Sequence, residues 1–133
     1  MTKSEKRADF TKMVLQLLAF AVPRASYHGV LIYLKEVERH KCAQQLNVNE
    51  GVSWTFNSLH LRGLASDFVV ISGDSRQALW NHPLFDEMGE FWISIGGEWG
   101  GELSWIEKGH EDRPHFQYNA KRRGKYLEEN QDS

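Results

Sequence analysis

His60, Asp67 and His115 are residue types that can hold a catalytic metal, and a further carboxylic acid, Asp112, stands shortly before the last of them. Two imidazoles and one carboxylate fill three corners of a tetrahedral zinc ion and leave the fourth to water, which is the composition of a catalytic site rather than a structural one. Asp112 could then reach that water as a general base. Taken singly, each residue has a plainer use. His60 could be a loop imidazole bonded to backbone, Asp67 a carboxylate capping a strand start, and His115 a satisfied core histidine.

The surroundings of these residues separate the two readings. The first block reads Ser58, His60, Gly63, Ala65, Asp67, and the later blocks read Trp99-Gly100-Gly101 and Asp112-Arg113-Pro114-His115-Phe116-Gln117. In this order the blocks resemble the zinc D-alanyl-D-alanine carboxypeptidase and L-alanyl-D-glutamate endopeptidase family, which includes VanY-like enzymes and many phage endolysins. The resemblance runs over residues 29–118. It implies zinc held by His60, Asp67 and His115, with Asp112 rather than the neighbouring Glu111 as the base. It also implies a role for Arg39 in binding substrate and stabilising developing charge, since a guanidinium offers a rigid fork of donors. In relatives this arginine is followed by serine or threonine and then a glutamine, whereas here His40 follows, with Gln44 and Gln45 beyond.

Several neighbours take supporting roles under this reading. Gly63 and Ala65 are small enough to let the chain turn back onto one ion, and Pro114 stiffens the link between Asp112 and His115. Ser58 suits orienting that turn or the substrate, because a zinc-activated water makes a serine nucleophile unnecessary. Gln44 joins Ser58 as a substrate contact, and Trp99 either walls the cleft or packs in the core. His28, His40, His82 and His110 lack the matching context, although His110 lies close enough to Asp112 to touch substrate.

At 133 residues the chain forms one domain. With 16 basic and 18 acidic side chains it has no global field that would favour nucleic acid. The lone Cys42 cannot form an internal disulfide, fits a reducing cytoplasm, and reads as a small packing residue. Residues 13–22 are apolar behind several lysines and could pass for a signal peptide. Glu5, Asp9 and Gln16 interrupt that character, and Phe10, Met13, Val14, Leu17, Leu18 and Ala21 fall on one face of a helix that Pro23 should close. The run is too short to span a membrane, which takes about 20 apolar residues.

The elements that must position the site follow from local pattern. Residues 30–37 read as a strand, 38–46 as a short helix, 47–51 as a turn and 52–63 as an irregular polar stretch. Residues 67–72 are the clearest strand, with Asp67, Val69 and Ile71 on one face and Phe68 and Val70 on the other. A helical region in two pieces follows, the second opened by Pro83 and carrying the stripe Leu84, Phe85, Met88, Phe91, Trp92, Ile95. Residues 96–101 read as a flexible loop and 103–106 as a short strand. Residues 115–118 form the last strand, with His115 and Gln117 on one face, and the hydrophilic residues 119–133 should fray.

This order gives an α+β domain over residues 1–118, with a helical part at 1–28 and a motif-bearing core at 29–118. Its small antiparallel sheet carries helices on one side. The resemblance puts zinc on the open face, a Hedgehog/DD-peptidase-like arrangement. The activity it implies is hydrolysis of the stem peptide of bacterial peptidoglycan by a monomer without stable membrane insertion, a phage or prophage endolysin that waits in the host cytoplasm until lysis. A virion or tail module that binds or opens the wall, and a host D,D-carboxypeptidase, are the alternatives.

Overall fold

A computed structural model describes residues 1–35 and 63–131. Arg39, His40, Cys42, Gln44, Gln45, Ser58 and His60 lie outside the described residues, as do the expected helix at 38–46, the turn at 47–51 and most of the stretch at 52–63. The described elements are α1 (Lys3–His28), β1 (Val30–Leu34), β2 (Ala65–Ser72), α2 (Leu84–Ser94), β3 (Gly97–Trp99), α3 (Leu103–Glu107), β4 (His115–Tyr118) and α4 (Ala120–Glu129). The four strands form one antiparallel sheet in the order β1-β2-β4-β3.

A capping box starts α1. The Thr2 hydroxyl accepts from the Glu5 amide at 3.1 Å and the Glu5 carboxylate accepts from the Thr2 amide at 3.0 Å, so two amides that the helix leaves over are satisfied. Phe10, Met13, Leu17, Ala21 and Ala25 are the buried face. Pro23 does not close the helix, which continues to His28 and ends on Gly29 at φ 70°. Pro23 and Ala19, whose carbonyl the missing N–H would have bonded, both face solvent, so water can take the freed acceptor. Burial of Ala21 and Ala25 on the other side holds the helix together across the proline.

Period-two alternation sorts the sheet into two faces as expected. Phe68, Val70 and Phe116 are fully buried with Phe85, Met88 and Trp92 of α2 and with Met13 and Leu17 of α1. Asp67, His115 and Gln117 alternate with these residues and turn to the opposite face. Four other expectations fail for identifiable reasons. The first helical piece after β2 is absent: Ser72 N–H bonds Gln77 O at 2.9 Å, Leu79 N–H bonds Val70 O at 2.8 Å, and Ala78 bridges Ile71. This hairpin satisfies the β2 edge beyond its short ladder with β4, so the backbone groups there need no other partner.

Residues 97–99 are strand rather than loop, pairing Gly97, Glu98 and Trp99 with Tyr118, Gln117 and Phe116. Glycine has poor strand propensity but is required at 97, where a Cβ would lie 2.1 Å from the Trp92 indole nitrogen. Residues 103–107 are helix rather than strand, since only Trp105 is buried while Leu103 and Ile106 are exposed.

The stretch after Asn119 does not fray. Arg123 of α4 is buried against Asp9 of α1, with its Nε and Nη2 donating to the Asp9 carboxylate at 2.8 and 3.0 Å. Its Nη1 donates to Ile95 O at 2.6 Å, and the Tyr118 hydroxyl donates to Asp9 at 2.9 Å. Burial alone would raise the Asp9 carboxyl, but the bonds from Arg123 and Tyr118 outweigh it and hold the group below its ordinary 3.8. Burial, reinforced by the bond to Asp9, pushes Tyr118 from 10.0 up to about 12.

Removing one partner of such a pair strands the other. Asp9→Ala is therefore expected to cost about 3–5 kcal/mol, read as a fall in the denaturant midpoint at neutral pH. Because the folded Asp9 carboxyl titrates lower than the unfolded one, its contribution is present above 3.8 and disappears as pH falls through the folded value. Tyr118 is displaced the other way, so its share is present below 10.0 and fades as pH climbs towards about 12. The stability profiles of wild type and Asp9→Ala should stand furthest apart between these limits. A constant gap across the acid range would refute the assignment.

Candidate metal centre

Asp67 and His115 are register partners on the adjacent strands β2 and β4. Side chains opposite one another on one face of an antiparallel pair lie side by side, and here Asp67 Oδ1 is 3.1 Å from His115 Nδ1. Asp112 comes from the loop that leads into β4. Its ligand oxygen, one oxygen of Asp67 and one nitrogen of His115 all lie within 4.8 Å of one another. The histidine is 1% exposed and both carboxylates are partly buried.

This arrangement fits a zinc ion as far as the described residues extend: the His115 imidazole and the Asp67 carboxylate are borderline and hard donors side by side, with the Asp112 carboxylate beside them. Asp112 rather than Glu111 joins the cluster, although both line the same cleft. His60 lies outside the described residues and enters only as the proposed third ligand.

The loop carrying Asp112 is held by backbone bonds on both sides. Asp112 N–H donates to Gly100 O at 2.8 Å, Gly100 N–H to His115 O at 2.9 Å, and His115 N–H to Asp112 O at 3.0 Å. Arg113 anchors it to α2 through a bidentate pair with Asp86 at 3.0 and 2.8 Å. Trp99 is not among the described residues that line the cleft. It is buried in the core, stacks on Phe116 and donates its indole N–H to Arg113 O at 2.7 Å, so it steadies the loop. Gly63 sits at φ 70° just before β2, a left-handed conformation that favours glycine. Ala65 is the register partner of Gln117.

Beside the cluster lies a cleft of about 400 Å³ whose lining includes Lys35, Trp80, Asn81 and Arg113. Sequence reasoning gave Lys35, Trp80 and Asn81 no role, because they come from two segments distant from the motif and carry no motif spacing. His110 is not among the described lining residues, and its backbone N–H bonds Trp105 O at 2.9 Å. Among the described residues no helix is long and apolar enough to cross a membrane.

Comparison with known proteins bears on what this arrangement is for. The family model described as D-alanyl-D-alanine carboxypeptidase matches residues 38–118. The chain is 36% identical over 119 residues to the L-alanyl-D-glutamate peptidase of Listeria phage A118, a match that covers 87% of this chain. It spans only 39% of the length of that relative. Among solved structures it is similar to the Serratia marcescens L-Ala D-Glu endopeptidase ChiX, with a TM-score of 0.60 and 25% identity over 86% of this chain and 80% of that one.

Proposed function

Since the chain belongs to the D-alanyl-D-alanine carboxypeptidase family, we propose that it is a zinc peptidase hydrolysing the stem peptide of bacterial peptidoglycan. The observation that carries this reading is the convergence of Asp67, Asp112 and His115 beside an open cleft. Both named relatives are described as acting on the L-alanyl-D-glutamate bond, which favours an endopeptidase over a D,D-carboxypeptidase. A phage origin for one of them favours an endolysin, held in the host cytoplasm until lysis and acting as a monomer at the wall.

Asp67 and His115, with His60, would hold the ion. Bound zinc lowers the pKa of a water ligand and polarises a carbonyl oxygen. Asp112 takes the proton from the attacking water and returns it to the nitrogen of the leaving amine, so one carboxylate serves both halves of the reaction. Its loop, fixed to Gly100 and His115, sets the carboxylate before substrate arrives. Arg39 stabilises the developing oxyanion, and Ser58 and Gln44 contact the peptide.

The test is digestion of purified peptidoglycan, with the released ends identified by mass. New amino groups on D-glutamate and about one zinc per chain are expected, with zinc lost in His60→Ala and His115→Ala. New reducing sugar ends without new amino groups would overturn the peptidase assignment, and release of free D-alanine alone would select the carboxypeptidase reading.

A further inference from the structure

We infer that Gln117 is a positioning residue that fixes which nitrogen of His115 faces the metal; this rests on the reading of His115 as a ligand. His115 and Gln117 lie two apart on β4 and share a face. The His115 ring is met on three sides. Nδ1 lies 3.1 Å from Asp67 Oδ1, Nε2 lies 2.8 Å from Gln117 Oε1, and the Trp105 ring packs against it with centroids 5.3 Å apart. Trp105 is itself pinned, its indole N–H donating to Glu98 at 2.7 Å, while Glu98 also accepts from Asn119 at 2.8 Å.

The nitrogen beside Asp67 is Nδ1, so ligation shared with Asp67 from this pose uses Nδ1. A neutral imidazole that ligates through Nδ1 must carry its proton on Nε2. That N–H is buried, and a buried donor without an acceptor costs about 1–3 kcal/mol. Gln117 Oε1 supplies the acceptor. It does so without charge, next to two carboxylates whose ligand atoms already lie within 4.8 Å, where a third negative group would be repelled.

The experiment reads metal binding and the proton, not turnover. In the zinc-loaded protein, long-range ¹⁵N–¹H correlation should show His115 with Nδ1 ligated and Nε2 protonated, the Nε2 proton exchanging slowly with water. Gln117→Leu, similar in size but without an acceptor, should weaken zinc binding in chelator competition by about 10–100-fold and let that proton exchange quickly. Gln117→Glu, which restores an acceptor but adds the repelled charge, should slow exchange of that proton again while recovering only part of the affinity. Ligation through Nε2 in the wild type, or unchanged zinc affinity in Gln117→Leu, would overturn the inference while leaving the metal site standing. If the wild type holds no zinc, both fall. The wild-type spectrum decides the matter even where Gln117→Leu does not fold.

Discussion

Asp112→Asn is expected to fold, to take up zinc, and to lose peptide hydrolysis by about 10²-fold or more, the usual scale for removing a positioned acid–base group. Asparagine keeps the shape of the side chain and the backbone bonds to Gly100 and His115, but it cannot accept a proton. The outcome is informative because the Asp112 oxygen lies within 4.8 Å of the ligand atoms of Asp67 and His115, near enough to act as a base or as a ligand. Zinc content measured on the purified variant separates the two: a loss of metal means the carboxylate binds the ion directly. Glu111→Gln is the comparison, since Glu111 lines the same cleft but stands outside the cluster. It should be nearly silent, and a dead Glu111→Gln with an active Asp112→Asn would move the base by one residue.

Gly100→Ala should be almost as damaging without altering any group that does chemistry. A Cβ at position 100 would lie 2.0 Å from Asp112 O and 2.9 Å from Asp112 C. Both are backbone atoms, so no flexible side chain can give way. The loop must move, and a displacement of about 1 Å at a catalytic group can lower the rate about 10²-fold. Overpacking should also destabilise the fold by about 1–3 kcal/mol. The measurements are kcat and the denaturant midpoint, with Gly124→Ala as control, because nothing lies within 4 Å of a Cβ built there. Wild-type kcat in Gly100→Ala would show that the position of the loop does not set the rate.

What could be read from the chain alone was what strict periodicity encodes. Alternation set Asp67 opposite Phe68 and Val70 within β2 and put His115 and Gln117 on one face of β4, the pairing of the two strands brought those faces together, and the apolar stripe from Leu84 to Ile95 marked α2. The misreadings share a cause: distant partners overrode a local preference. Pro23 is tolerated because its freed acceptor faces water, Gly97 is strand because the Trp92 indole fills the space of its side chain, and α4 is ordered by two ion pairs, Arg123 with Asp9 and Arg122 with Glu102. Hydropathy cannot register an arginine that is buried because its carboxylate lies on the first helix. Trp99 was ambiguous for the same reason, since an aromatic beside a motif can face either way until its neighbours are known.

The ladder between β2 and β4 holds only three residue pairs, Ala65 with Gln117, Ser66 with Phe116 and Asp67 with His115. So short a ladder specifies its own register weakly. What holds it is the other side of the sheet, where Phe116 is fully buried. Sliding one strand by a single residue would carry Phe116 out of the core and push His115 into it, because every side chain changes face at once. The aim of the histidine is thus enforced by oil on the far side of a single layer of backbone. Loss-of-function lesions in this protein need not map to the metal face: a polar residue at Phe116 or Phe68 can silence the site as effectively as the loss of a ligand.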